Sequence, residues 1–312
     1  YYFLILQHQS LQMDNKKRIE FIINPVSGGI RVLPIKSAIE HLIDSNLYEY
    51  GFTSTTHKGH ATELARNFAA KESTYMVVAV GGDGTVNEVG CGLIDTNMPM
   101  GIIPCGSGNG LARHLGIPMD PINSIKWINK HSVINIDYGT INDHPFFCTC
   151  GLGFDADVSK RFADSKIRGI ITYVEKILQE ALVHKDEPIT IVNDGEEEDI
   201  EAFIVTCANA GQWGNNIYIA PLASVTDGLL DITVLTPFTP LDIPTLAYHL
   251  FNKQIDKNKK IKSFKTKELI IRRKKDAVAH VDGEPIILNK ELKIQIIPKG
   301  LRIAIPKKER KI

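Results

Sequence analysis

Tyr75-Met-Val-Val-Ala-Val80-Gly81-Gly82-Asp83-Gly84-Thr85-Val-Asn87-Glu88-Val89 is the stretch on which the fold reading turns. Tyr75 to Val80 is an unbroken apolar run rich in valine, which suits a strand buried on both faces of a parallel sheet. Glycines at 81, 82 and 84 then let the chain turn sharply and let its backbone approach a ligand closely. Thr85-x-x-Glu88 reads as a capping box, with Val86, Val89, Leu93 and Ile94 recurring behind it at helical spacing. A strand, a glycine loop and a helix N-terminus present N–H groups and the positive end of a helix dipole to an anion, most naturally a phosphate. A carboxylate at Asp83 repels that phosphate unless a cation lies between them, so Asp83 is expected to act through magnesium.

Upstream, Ile19 to Ile23 is a second candidate buried strand, running into Asn24-Pro25-Val26-Ser27-Gly28-Gly29. A helix follows with Pro34 in its first turn and Ile35, Ala38, Ile39, Leu42 and Ile43 on one face. Tyr48 to Thr55 reads as a strand and Thr62 to Lys71 as a helix. Downstream, Met100 to Ile103 feeds Gly106-Ser107-Gly108-Asn109-Gly110 and a brief helix stopped at Gly116. Strands and helices alternate throughout, which predicts a doubly wound α/β domain over 16–132 whose strand-end loops line one crevice. From Val133 the pattern changes to short strands parted by turns such as Asn193-Asp-Gly195 and Asp282-Gly283, with helices only near 156–184 and 241–253. That predicts a mainly antiparallel β-sandwich domain over 133–305. Residues 1–15 form an extension with no assigned role, and the tail 306–312 fits either domain.

The chain has 312 residues, 43% hydrophobic and 23% charged, with zero net charge, so whole-molecule attraction to nucleic acid is not indicated. Five cysteines show no disulfide or zinc spacing, which points to a reducing cytoplasm. Tyr1 to Leu6 is too short an apolar run to span a membrane and lacks the basic start of a signal peptide. No G-x-x-x-x-G-K-[ST] occurs. Gly151-Leu-Gly153-Phe-Asp-Ala156 matches a dinucleotide fingerprint, yet the acid that should end a second strand, Glu175, falls within a helical pattern.

At the glycine loop the chain resembles the diacylglycerol kinase catalytic domain, in the family that also holds sphingosine, ceramide and bacterial lipid kinases. NAD kinases and phosphofructokinases carry similar Gly-Gly-Asp-Gly-Thr loops, but Asn24-Pro25-x-Ser27-Gly28 and Gly106-Ser107-Gly-Asn-Gly110 look like the lipid kinases. The resemblance implies ATP and magnesium (Mg2+) as cofactors. It implies nucleotide contacts from Asn24, Pro25, Ser27, Gly28, Thr56, Gly81, Gly82, Asp83, Gly84, Thr85, Asn87, Glu88 and Ser107.

In the second domain, Asp282-Gly283 between apolar runs is the commonest type I′ hairpin signal, but Glu284 beside it is not required by a turn. In the resembled family this Asp-Gly-Glu element holds the catalytic acid or base, so Asp282 and Glu284 are both candidates. Asp227-Gly228-Leu229-Leu-Asp231 resembles the family's metal-associated turn, which implies a structural magnesium on Asp227, Ser224 and Leu229. A basic tract from Lys253 to Lys275 is either a solvated face or a contact for anionic membrane. The resemblance implies a cytoplasmic enzyme at the inner face of the membrane, a membrane lipid as substrate, and a second copy of the chain as a candidate partner. The expected activity is an ATP-dependent lipid kinase acting on diacylglycerol or a sphingoid base, with an NAD kinase or a nucleotide-binding regulator without catalysis as the alternatives.

Overall fold

The valine-rich run ending at Gly81 lies inside a parallel sheet. The first elements are β1 (Lys17–Ile23), α1 (Leu33–Leu42), β2 (Tyr48–Ser54), α2 (His60–Ala69), β3 (Thr74–Gly81), α3 (Asp83–Leu93), β4 (Met100–Pro104), α4 (Gly110–His114) and α5 (Pro121–Ile128). Then come β5 (His131–Ile141), β6 (His144–Phe146), β7 (Thr149–Gly153), β8 (Glu187–Asn193), β9 (Glu196–Ala202), β10 (Ile204–Ala208), β11 (Gln212–Gly214) and β12 (Ile217–Tyr218). The last are β13 (Leu230–Leu235), α6 (Ile243–Phe251), β14 (Ile261–Thr266), β15 (Glu268–Arg273), β16 (Ala277–Val281), β17 (Glu284–Leu288) and β18 (Glu291–Pro306). This computed structural model describes residues 16–27, 33–153, 187–214 and 216–307. The expected helix near 156–184, Gly28, and the extension at 1–15 lie outside the described residues.

The chain divides into two units. Unit 1 takes the chain up to Gly106, Gly116–Ile134 and everything from Leu301, while unit 2 takes Ser107–Leu115 and Asn135–Gly300. In unit 1 the strands run in the order β2-β1-β3-β4-β18, and every neighbouring pair is parallel. Met76 to Val80 are fully buried, as a strand covered on both faces requires. By the right-handed rule for parallel crossovers, α1, on the way out to β2, falls on one face and α2 and α3, on the way back across the sheet, on the other, and α2 and α3 pack against each other. The α/β architecture and the parallel sheet are those expected from the alternation of elements.

Unit 2 is a sandwich. One layer is the antiparallel sheet β14-β13-β10-β7-β16-β17, and the other joins β15, β8 and β9 to the first part of β18, with β5 also pairing β18. Cys150, Leu152, Val205, Cys207, Ile232 and Val234 from the first layer meet Ile189, Ile191, Leu269, Ile271, Leu292 and Ile294 from the second in one core. Each such fully buried aliphatic side chain contributes roughly 1.5–3 kcal/mol. A smaller core sits under α6, where Ile243, Leu246, Ala247 and Leu250 pack on Phe203, Ile204 and Leu235.

Two local expectations change. The helix after the glycine loop begins at Asp83, with Gly82 as its N-cap and no side-chain cap, so Thr85 and Glu88 do not form a capping box. Leu292 to Ile297 and Leu301 to Ile305, which read as two strands, are one strand, because the chain passes the break with Lys299 in the left-handed region (φ 56) and its N–H held by the Asp137 carboxylate at 2.7 Å.

Candidate active site

From β1 the chain crosses outward to β2, and from β3 it crosses the opposite way to β4. The gap between β1 and β3 is therefore a topological switch point, where connections diverge and leave a crevice at the strand C-termini. Two of the three loops that sequence singled out, after β1 and after β3, leave their strands there. The Asn24 N–H donates to the Val80 carbonyl at 3.0 Å, and the Asn24 side-chain amide donates to Thr85 Oγ1 at 3.1 Å. Asn24 Oδ1 accepts from the Val26 N–H at 3.1 Å, closing the turn that contains exposed Pro25. Ser27 Oγ accepts weakly from the Gly82 N–H at 3.4 Å.

Contact excludes a side chain at Gly81 and crowds one at Gly82. A Cβ on Gly81 would lie 2.5 Å from Thr85 Oγ1, and one on Gly82 would lie 3.3 Å from the Gly106 Cα. The Cys105 N–H donates to the Gly81 carbonyl at 2.8 Å, which draws the loop after β4 against the loop after β3. The first turn of α3 thus starts among three backbones with no side-chain cap, and half-buried Asp83 stands in that turn at the positive end of the helix dipole. Gly84 adds no side chain to the turn. Asn87 is half-buried, and its Oδ1 is the acceptor for the Cys91 thiol at 3.5 Å.

Thr85 and Glu88 are occupied in ways sequence did not indicate. Thr85 is 5% exposed and receives the Asn24 bond. The Glu88 carboxylate accepts from the Gly59 N–H at 2.8 Å and the Ala61 N–H at 3.2 Å, and the Thr62 hydroxyl donates to the Glu88 carbonyl at 2.8 Å. Glu88 therefore caps α2 from the neighbouring helix and carries the loop containing Thr56 with it. Thr56 is exposed, with its Oγ1 2.9 Å from His57 Nδ1 and 3.0 Å from His60 Nδ1. The Thr55 N–H donates to the Ile23 carbonyl at 2.9 Å, which sets this loop beside Asn24. A magnesium ion shared with phosphates needs one or two carboxylates, and Asp83 fits that donor set.

Ser107 is exposed and belongs to unit 2, in the segment that carries α4. There Arg113 Nε donates to the Gly108 carbonyl at 2.8 Å, and the Gly211 N–H donates to His114 Nδ1 at 3.2 Å. Burial holds the His114 imidazole below the ordinary histidine range.

The Asp-Gly-Glu hairpin also lies in unit 2. Asp282 (φ 47) and Gly283 (φ 86) are both left-handed and join β16 to β17, with Val281 opposite Glu284, which is a type I′ turn. The Asp282 carboxylate accepts three successive backbone N–H groups: Phe147 at 2.9 Å, Cys148 at 2.7 Å and Thr149 at 3.1 Å. Its backbone N–H donates to the Thr149 carbonyl at 2.8 Å. Glu284 is exposed at the start of β17.

At the Asp227 turn, Lys265 Nζ lies 2.9 Å from Asp227 Oδ2, 2.9 Å from Asp231 Oδ2 and 3.3 Å from the Leu222 carbonyl. Three acceptors match the three N–H donors of an ammonium. Burial pulls the Lys265 pKa down, but its bonds to Asp227 and Asp231 outweigh that and hold it above the ordinary lysine value. Burial also pushes the Asp231 carboxyl up, against the pull of Lys265. The short contacts to both carboxylates favour the ionised pair. Asp227 Oδ1 accepts from the Leu229 N–H at 3.1 Å, and Ser224 Oγ is 3.3 Å from Thr226 Oγ1. Lys265 offsets one of the two carboxylate charges at this turn, and the ion pair takes up Asp227 Oδ2, an oxygen that the expected magnesium site on Asp227, Ser224 and Leu229 would share.

Asp137, 1% exposed, is a residue sequence reasoning passed over. Its carboxylate accepts from the Gly228 N–H and the Lys299 N–H, both at 2.7 Å, and its carbonyl accepts from the Asn209 amide at 2.9 Å. The signal was present as a lone carboxylate inside the apolar run Val133 to Ile141.

Part of the basic tract is used within the fold. Lys262 pairs with Glu198, Arg272 with Glu197 at 2.8 Å and Glu291 at 3.1 Å, and Lys265 with the two aspartates above. Arg273 is buried and donates to the carbonyls of Ala277 and Leu288 at 2.7 and 2.6 Å. Among the described residues no helix is long and apolar enough to cross a membrane.

Comparison with known proteins adds to this geometry. The family described as the diacylglycerol kinase catalytic domain matches residues 18–141, and the family described as the YegS C-terminal NAD kinase beta sandwich-like domain matches residues 148–305. A diacylglycerol kinase of Bacillus subtilis is 31% identical over 231 residues, covering 70% of this chain and 74% of its own length. A probable lipid kinase, YegS-like, of Yersinia enterocolitica is 26% identical over 279 residues, 87% of this chain and 92% of its own. The crystal structure of a diacylglycerol kinase from Bacillus anthracis superposes with a TM-score of 0.75 at 22% identity, covering 93% of this chain and 97% of that one, which is a likeness of fold.

Proposed function

The chain belongs to the diacylglycerol kinase catalytic-domain family of lipid kinases, and from that premise we propose that it transfers the γ-phosphate of ATP to the hydroxyl of a membrane lipid. The observation that carries this reading is the junction in unit 1. There the loops after β1, β3 and β4 meet around the uncapped first turn of α3, with Asp83 in that turn. Backbone N–H groups and a helix dipole suit the phosphates. Bound magnesium would neutralise phosphate charge, and Asp83 is the carboxylate that would hold it.

For the base we favour Glu284. The oxygens of Asp282 already accept three backbone N–H groups, so its carboxylate is better suited to fixing the loop at 147–149 than to taking up a proton. In this reading the lipid hydroxyl gives its proton to Glu284 as its oxygen attacks the γ-phosphorus, and the bond from phosphorus to the ADP oxygen breaks. Diacylglycerol is the preferred acceptor over a sphingoid base, supported by the name of the Bacillus subtilis relative.

The test is transfer of labelled phosphate from ATP to a panel of lipid alcohols, with NAD included because the C-terminal match names an NAD kinase-like sandwich. Transfer to diacylglycerol with a kcat/KM at least equal to that for a sphingoid base is expected. Transfer to NAD alone overturns the reading, and no ATP turnover with any acceptor points to a regulator.

A further inference from the structure

The outward face of α6 does not have the composition of a face turned to water. Its inward residues Ile243, Leu246, Ala247 and Leu250 fill the smaller core of unit 2. Leu241, in the short turn leading into α6, is 90% exposed, and Tyr248, seven residues on, is 58% exposed. Pro244 and Thr245 are exposed between them, at the spacing that lines one side of a helix. A surface helix ordinarily carries charged residues on this side. Here the only Asp, Glu, Lys or Arg between 241 and 252 is Asp242, and its carboxylate accepts from the Thr239 N–H at 2.8 Å and the Thr239 hydroxyl at 2.9 Å, with Lys260 at 3.8 Å.

Charge begins where the helix ends. Lys253, Lys257 and Lys259 are exposed, and the one acid among them, Asp256, is half-buried. Lys253 adopts the left-handed conformation (φ 58), and its ammonium lies 4.4 Å from the Tyr218 ring centroid, so the first of these cations is held at the helix C-terminus. Unlike Lys262, Lys265 and Arg272, which pair with carboxylates, these three lysines take no part in the ion pairs found among the described residues.

We propose that the outward face of α6, together with Lys253, Lys257 and Lys259, docks unit 2 on an anionic lipid bilayer. The inference rests on the reading that the acceptor is a membrane lipid. Leu241 and Tyr248 enter the headgroup boundary, where a leucine is buried and a tyrosine keeps its hydroxyl wet. The lysines extend along the surface with their stems toward the apolar layer and their ammonium groups on lipid phosphates. Three exposed lysines that follow an uncharged, exposed strip in sequence are complementary in charge to anionic lipid.

Co-sedimentation of the full chain, without nucleotide, with vesicles of phosphatidylcholine alone or mixed with phosphatidylglycerol tests this. Wild type should bind the mixed vesicles more strongly. The triple variant Lys253→Gln, Lys257→Gln, Lys259→Gln should lower that binding by about a hundredfold, from about tenfold or less per lysine near the surface. The pair Leu241→Ser, Tyr248→Ser should lower binding to both vesicle types by about tenfold or more, and Leu241→Trp should raise it, which guards against loss through misfolding. Vesicle binding by both loss variants equal to wild type overturns the proposal. So does a wild-type dimer that dissociates in the Leu241→Ser, Tyr248→Ser variant while vesicle binding is unchanged. Because binding is read without nucleotide, its loss in the variants stands whether or not phosphate transfer is detected.

Discussion

Asp282→Asn, compared with Glu284→Gln, separates the two carboxylates of the hairpin. Asn tolerates the left-handed backbone that Asp282 occupies at φ 47, so the turn itself survives. The amide oxygen can keep the two bonds now made by Oδ1, from Cys148 and Thr149, but the amide nitrogen then faces the Phe147 N–H and that bond is lost. Phe147, Cys148 and Thr149 are all buried. One bond to a charged acceptor, with a buried donor left unmet, is about 2 kcal/mol. For a unit of this size that lowers Tm by about 4–8 °C. Asp282→Ala removes all three bonds and places alanine in the left-handed region, a loss of about 5 kcal/mol or more, which is a large share of the stability of an ordinary domain. Glu284→Gln, at an exposed position, should melt within about 0.5 kcal/mol of wild type while kcat falls by about 10²–10⁴. Calorimetry and labelled-phosphate transfer on the same preparations read both quantities. If Asp282→Asn melts like wild type and loses turnover as fully as Glu284→Gln, the assignment of Asp282 to positioning is refuted.

Asp83→Asn should nearly abolish turnover with an unchanged melt, because the side chain stands in an uncapped helix turn rather than in the core; a wild-type rate in the variant sinks its role. If Lys265 is the cation that holds this turn, chelation with EDTA should leave the melt of the nucleotide-free protein unchanged, whereas Lys265→Met should lower it, since Asp227 and Asp231 then face each other without a cation; a fall in Tm on chelation of wild type would place a metal at that turn. Burial lowers the His114 pKa below the unfolded value of about 6.5, so the unfolded chain binds more protons in that window and stability must drop as pH falls below about 6.5. His114→Gln should flatten that slope, and equal slopes in unfolding measured across about pH 7.5 to 5.5 would refute it.

The parallel sheet was legible because a strand buried on both faces has no choice of composition. Ile19 to Ile23 and Tyr75 to Val80 are apolar throughout, and the two loops that follow them meet at the switch point. The Asp282-Gly283 turn was legible because two adjacent left-handed residues admit few others. β9 was not, since Glu196-Glu-Glu-Asp-Ile-Glu has no apolar period. It is a strand because it pairs with β8 and its acids meet Lys262 and Arg272 from elsewhere in the chain. β14 failed for the matching reason and read only as part of a charge run, although all six of its residues pair with β13. Glu88 had the right spacing for a capping box and spends its carboxylate on Gly59 and Ala61 instead, a choice made by the packing of α2 on α3. Local spacing cannot rank two acceptable partners when one of them is distant in sequence.

The course of β18 has a consequence for how the protein is made. Ile303 pairs with Met100, roughly two hundred residues apart in sequence, and Arg302 donates to the Asn97 carbonyl at 2.7 Å. During vectorial synthesis the first hundred residues leave the ribosome long before this strand exists, and until then β4 presents an unpaired edge. The nascent unit 1 therefore waits, open to chaperones and to edge pairing with other nascent chains, until nearly all of unit 2 has been translated.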